Sequence, residues 1–294
     1  MFDDLASGAG SLAIAIGGAV IVIGVIPAIF LRERFSEAAV SEIKTKFRES
    51  TANFFKGFAM AIKFSPFLKL CLATFMVFNG FMLVASFQSY VIIYYVFAGD
   101  QALGAEYAGW SGTVSAFATF GVIFFISWLS TKIGKRRAFF ISTGVSMLGY
   151  ALKWFCYSPD YPLLLLVPAP FIAFGLGGLF TLMGSMIADV CDMDELESHS
   201  RREGMFGSIY WWVVKLGLAA ALAIGGILLN VTGFDVALGG DQATSTIFLM
   251  RIFDVAIPLV SSAIAIWLIA SYPITEQKAH EVRLELEKRP GRTS

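Results

Sequence analysis

The sequence predicts an all-α integral membrane protein with seven transmembrane helices. Three observations lead there. Of 294 residues, 57% are hydrophobic and only 15% are charged, whereas a soluble domain carries about 25% charged residues. Seven windows of about 20 apolar residues recur along the chain, at about 8–31, 66–97, 108–131, 138–157, 162–188, 206–230 and 246–272. Of the connections between them, only alternate ones hold Lys or Arg.

The first window is followed by a charged segment, 32–64, which holds Arg32, Arg34, Lys44, Lys46, Arg48, Lys56 and Lys63. Within it Val40, Ile43, Phe47, Phe54 and Phe58 recur at helical spacing, as expected of helices lying along a membrane surface. The third and fourth windows are joined by the basic turn Lys132-Ile133-Gly134-Lys135-Arg136-Arg137. The connection at 189–205 carries Arg201 and Arg202, and the tail carries Lys278, Arg283, Lys288, Arg289 and Arg292. The connections Ala98–Tyr107, Ser158–Tyr161 and Val231–Ser245 contain neither Lys nor Arg. Positive charge marks the cytoplasmic side, so the tail is expected inside and Met1 outside, in the cell inner (plasma) membrane. The start Met-Phe-Asp-Asp has no basic region of the kind that opens a signal peptide. An outside start without one reads most simply as the last helix of a preceding half. The expected organisation is then 1–31 as that helix, 32–64 as a central cytoplasmic loop, 65–273 as a six-helix half and 274–294 as a cytoplasmic tail. Two six-helix halves around such a loop are the layout of major facilitator transporters.

Composition removes several function classes. There is no formal net charge, hence no bulk attraction to nucleic acid. Cys71, Cys156 and Cys191 have no paired spacing and read as inert thiols rather than a disulfide or zinc framework. No phosphate loop, Ser/His/Asp set or metal-ligand cluster is present, so an intramembrane enzyme, a bound cofactor and a metal site are not expected. Asn230-Val231-Thr232 matches a glycosylation sequon tight against a helix end, where chance matches are common.

The residue that points to chemistry is Lys215, near the middle of the sixth window. A cation at bilayer depth costs about 2.5–3.5 kcal/mol on insertion scales, and the segment ends are about 15 Å away at 1.5 Å per residue. Such a charge is expected to face a wet, protein-lined cavity. Ser208 and Trp211 share its helical face by spacings of three and four, and Trp211 offers a ring for stacking. Asn79, Ser86 and Tyr90 form a polar stripe on the second window, with Gln88 and Tyr95 on its other side. Thr181, Ser185 and Asp189 follow at intervals of four on the fifth. Gly175, Gly177 and Gly178 there would permit close helix approach. Next come Asp192, Asp194 and Glu195, then Arg201, Arg202 and Glu203. With Lys135, Arg136 and Arg137 of the basic turn, these charges form a candidate inner gate that opens and closes. Arg251 and Asp254, three apart, are expected to pair locally, and Lys153 to reach toward an outer surface.

The stretch Ala188-Asp189-x-x-Asp192-x-Asp194-Glu195-Leu196 to Arg201-Arg202-Glu203-Gly204-Met205-Phe206-Gly207, continuing to Lys215-Leu216-Gly217, resembles the tenth–eleventh helix region of the glycoside–pentoside–hexuronide:cation symporters. These are the melibiose-permease relatives within the major facilitator superfamily. The turn Thr131–Arg137 resembles their eighth–ninth loop, and the whole chain aligns with helices six to twelve. His199-Ser200 stands where a pair such as Gly-Lys is more usual. The resemblance implies the major facilitator fold, alternating access, and uptake of a sugar or glycoside coupled to Na+, H+ or Li+. It places Lys215 in the sugar- and cation-binding region. The family's cation-coordinating aspartates lie on helices two and four, which this chain does not contain, so an N-terminal half is the implied partner, in cis or in trans, besides the bilayer itself. At the aromatic position of the tenth helix this chain has Phe180 and no Trp. A non-transporting membrane partner, sensor or inactive remnant built from half a transporter is the alternative.

Overall fold

The computed structural model describes residues 5–30, 57–199 and 201–288, and the chain divides into two units, Met1–Asn53 and Phe54–Ser294. The predicted surface helices over 32–56 lie outside the described residues. Among the described residues there are seven helices long and apolar enough to cross a membrane, and no strand.

In the first unit, α1 (Leu5–Phe30) is a 26-residue helix. Its residues are apolar on every side, as a membrane span requires.

The second unit begins with a helical stretch at 57–63. It continues with α2 (Ser65–Tyr90), which runs on as a π-helical turn, Val91–Val96. The other long helices are α3 (Gln101–Ile133), α4 (Lys135–Cys156), α5 (Pro168–Ser198), α6 (Glu203–Val231) and α7 (Thr244–Ala270). A shorter helix, α8 (Glu276–Glu287), follows. Their ends are set by ordinary local chemistry. Asp100 caps α3 by accepting from the N–H groups of Ala102 and Leu103, both at 3.0 Å. Pro162 opens a 3-10 turn and Pro168 opens α5, where a missing N–H costs nothing. Thr275 caps α8.

Helices α2, α5, α4 and α7 pack in a closed cycle, each against the next. The cycle is flanked by α6, packed chiefly on α2, and α3, packed chiefly on α5. The Gly175–Gly178 run shows why α4 and α5 approach so closely. A Cβ on Gly178 would stand 1.8 Å from Ser142 Oγ, and that hydroxyl instead donates to Phe174 O at 2.6 Å. The main core, including Phe67, Leu70, Phe139, Leu182, Met183 and Phe206, fills the space between the helices.

Because the helices alternate direction, the α3–α4 turn, the α5–α6 connection and the tail, which hold Lys or Arg, gather at one end of the unit, and the connections without them at the other. The tail is a docked helix: Ala279, Val282 and Leu286, at spacings of three and four, are buried, and α8 packs on α5.

Candidate functional site

Two regions gather the residues singled out by sequence. The first is the ionic end, where α5 finishes and α6 begins. Asp189, only 6% exposed, receives Lys135 Nζ on one oxygen at 2.6 Å and Arg283 Nη2 on the other at 3.1 Å. Lys135 is aimed there because Gly134 turns the chain from α3 into α4 with φ +85°, a conformation that costs glycine little. Arg283 comes from α8, an element for which the sequence reading gave no role in this network. A buried carboxylate is tolerable when paired in this way. Beside it, Asp194 is 5% exposed and is gripped by Arg202 through both oxygens, with Nε–Oδ2 at 2.9 Å and a second contact from Nη2 to Oδ1. That is the fork geometry of a strong pair. Arg201 faces outward and collects Glu203 at 2.9 Å, Glu195 at 3.0 Å and Asp192 at 3.6 Å. Its hydrogen bond to Glu203 raises its pKa further still, so it is cationic at any working pH. Burial, with Asp189 adding to it, pushes the Tyr272 phenol well above its usual range. The protonated hydroxyl donates to Met186 O at 3.5 Å.

Of the basic turn, only Lys135 joins this network. Arg136 instead donates to Ala270 O at the end of α7 and lies over the Phe140 ring. Arg137 is exposed and has no ion-pair partner among the described residues.

The second region is the face shared by α5 and α6. Lys215 is exposed, one turn from Trp211, and no carboxylate lies within ion-pair distance of it among the described residues. Trp211 stacks on Phe180 of α5, rings 6.1 Å apart and 17° from parallel, and Phe78 of α2 meets Phe180 edge-on. Ser208 is exposed too, although its hydroxyl is engaged by Gly204 O at 2.7 Å. Ser185 is exposed, and half-buried Thr181 donates to Gly177 O.

The stripe on α2 is not brought to this face. Asn79 is buried and donates to Gly217 O of α6 at 3.0 Å, because a buried amide needs a partner and a helix carbonyl supplies one. Tyr90 stacks on Tyr94 and abuts Phe234, at the end far from Lys135. The Ser86 side chain lies outside the described residues. Gln88, on the other side of α2, lines a cavity of about 230 Å3 between α2, α3 and α5 and donates to Ser111 at 3.3 Å. Ser89 and Ser115 line it as well. Sequence spacing did not single out the serines, since no charge or motif marks them.

Two expectations, the local Arg251–Asp254 pair and an outward reach of Lys153, are corrected. Asp254 pairs with Lys153 of α4, Nζ–Oδ2 2.5 Å, both side chains being at most 2% exposed. Arg251 is held elsewhere, between the rings of Tyr95 (4.0 Å) and Trp154 (4.5 Å), donating to Trp154 O. The physical reason is burial. A carboxylate inside the bundle takes the cation that is buried with it, while Arg251 has two aromatic faces and a carbonyl within reach. Lys153 therefore does not reach outward. Cys71 and Cys191 are buried and Cys156 half-buried, all as free thiols.

The sequence matches the family described as MFS/sugar transport protein over residues 5–276. The chain belongs to the MFS/sugar transport protein family. This agrees with the resemblance carried by the stretch from Ala188 to Gly217, and it makes the protein a multi-pass membrane protein of a transport family rather than an enzyme. An uncharacterized symporter of Synechocystis sp. is 28% identical over 211 residues, covering 70% of this chain and 38% of that protein. A protein named sodium-dependent lysophosphatidylcholine symporter 1-B, of Danio rerio, is 25% identical over 242 residues, covering 79% and 43%. A glucuronide carrier protein homolog of Escherichia coli is 26% identical over 158 residues, covering 54% and 34%. The chain spans less than half the length of each of these MFS relatives.

Proposed function

We propose that this chain is the C-terminal part of a secondary active transporter that takes up a sugar or glycoside together with Na+, H+ or Li+ by alternating access. The observation that carries the reading is the exposed Lys215 beside the stacked Phe180–Trp211 pair. An ammonium group that donates three hydrogen bonds, next to an aromatic ring, suits a hydroxylated ring as ligand. A cation held at mid-span is retained where it faces a cavity. The N-terminal half supplies the opposite wall of that cavity and the carboxylates that hold the coupling ion. The Asp189–Lys135–Arg283 and Asp194–Arg202 clusters form the inner gate, which is closed when these pairs are made. The Lys- and Arg-bearing end faces the cytoplasm of the plasma membrane by the positive-inside rule.

The test is uptake by the complete protein carrying Lys215→Ala. Accumulation of labelled glycoside is lost while the protein is still made and inserted. Uptake at the wild-type rate ends the proposed role of Lys215.

A second reading is supported by one feature, an entirely apolar groove of about 270 Å3 between α2 and α6, lined by Phe67, Cys71, Phe75, Trp212 and Leu216 among others. It would accept the tail of a single-chain amphiphile, the substrate type named for the Danio rerio relative. Competition decides: inhibition of uptake by lysophosphatidylcholine at concentrations where glycosides have no effect favours the amphiphile.

A further inference from the structure

We propose that a recess between the α3–α4 turn and the start of α8 binds the phosphate of an anionic membrane lipid. The recess has a volume of about 570 Å3 and is lined by Gly134, Lys135, Arg136, Arg137, Phe140 and Glu276, among others. Three cationic side chains face a single carboxylate. Lys135 is already engaged by Asp189. Arg137 has no ion-pair partner among the described residues, whereas Arg136 lines the recess but donates through Nη2 to Ala270 O. Arg137 is therefore the guanidinium available to an anion, with the charge of Arg136 beside it.

The backbone reinforces the charge. Gly134 stands at the N-cap of α4 and contributes no side-chain cap. The first-turn N–H groups of α4 belong to the same residues that line the recess, and such groups favour an anion.

The arrangement of α4 identifies the source of the phosphate. Its exposed side chains are Arg137, Ile141, Leu148 and Phe155. Spacings of four, seven and seven put them on one helical face. A single apolar track thus runs along a membrane-spanning helix and ends at an unpaired arginine beside the recess. A phospholipid laid along it would keep its chains on Ile141, Leu148 and Phe155 and its phosphate at Arg137, in the field of Arg136. Basic pockets between spans take anionic headgroups in this manner. A soluble phosphate would gain nothing from the track. The inference holds whichever solute the protein moves.

The experiment follows the thermal unfolding midpoint of the full chain in neutral detergent. It is titrated separately with phosphatidylglycerol, phosphatidylcholine and soluble glycerol phosphate. Phosphatidylglycerol raises the midpoint in a saturable way and phosphatidylcholine does so more weakly. Arg137→Gln weakens the apparent affinity for phosphatidylglycerol about fivefold, and Arg137→Lys restores most of it. Arg137 is exposed, so both variants fold. Lys132→Gln, on the same turn but outside the recess, leaves the affinity unchanged. An equal loss in Lys132→Gln means a diffuse attraction and overturns the site. Saturation by glycerol phosphate alone overturns the lipid as its source. No midpoint change with phosphatidylglycerol overturns both.

Discussion

Arg201 and Arg202 are neighbours with the same charge, yet their surroundings give them unequal weight. Arg201 is 44% exposed, and the carboxylate nearest to it, Glu203, is exposed as well. Pairs of that kind contribute about 0–1 kcal/mol. Arg202 grips a carboxylate that is 5% exposed, and removing one partner of a buried pair costs about 3–5 kcal/mol. Arg202→Ala therefore lowers the unfolding midpoint in detergent by several degrees, whereas Arg201→Ala scarcely moves it; equal shifts would refute this ranking. A neighbouring residue offers a gain. His199 ends α5 in the left-handed conformation, φ 56°, with its N–H on Glu195 O. Glycine is the usual residue there, and relief of the side-chain clash is worth about 1 kcal/mol. His199→Gly is expected to raise the midpoint, and no gain would mean that the His199 side chain makes compensating contacts. The sequence shows that His199 stands where Gly is more usual in the resembling family; it does not show the positive φ that makes the difference matter. Likewise the acidic and basic residues from Asp189 to Glu203 were legible as a cluster, but which arginine takes which carboxylate depends on burial, which the sequence does not state.

At the scale of elements, the α4–α7 contact rests on a fully buried ion pair. Lys153 Nζ lies 2.5 Å from Asp254 Oδ2, and the Tyr157 ring covers the ammonium at 5.1 Å. Breaking such a pair from one side leaves a buried charge, at about 3–5 kcal/mol. Replacing both partners with apolar residues of similar volume is close to neutral. Lys153→Met or Asp254→Leu alone should therefore abolish a monodisperse, cooperatively unfolding protein, and the double variant should recover it. A double variant as unstable as either single one would show that the pair is needed for more than charge balance. The sequence reading paired Asp254 with Arg251 because they are three apart on one helix. It could not see that α4 brings Lys153 to the same depth. Asn79 carries the same lesson: its stripe was legible, but the choice between an open face and Gly217 O of α6 is a matter of helix rotation. By contrast the seven spans were legible in full. A 20-residue apolar run has few other stable solutions.

For the whole molecule, the segregation of the Lys- and Arg-bearing connections to one end of the second unit yields a direct test of orientation. Cysteine placed at Asp241 is labelled by a membrane-impermeant maleimide in intact cells. Cysteine placed at Gln277 is labelled only after the membrane is opened. The reverse pattern inverts the assignment, and with it the side on which the Asp189 clusters form a gate. Background is low because Cys71 and Cys191 are buried. The sequence by itself determined the number of spans, their alternating direction, the polarity of the two ends and the family. All of these follow from composition and local order along the chain, because lipid accepts only long apolar helices and the charge of a connection is read one connection at a time. Only the tertiary structure decided the partners: Lys153 with Asp254, Arg283 with Asp189, Trp211 with Phe180, and the exposed arginine at the head of the α4 track. Each joins residues on different helices or depends on which side a helix turns outward. Helix rotation and depth are set by packing of the whole bundle, which leaves no local signature in the sequence.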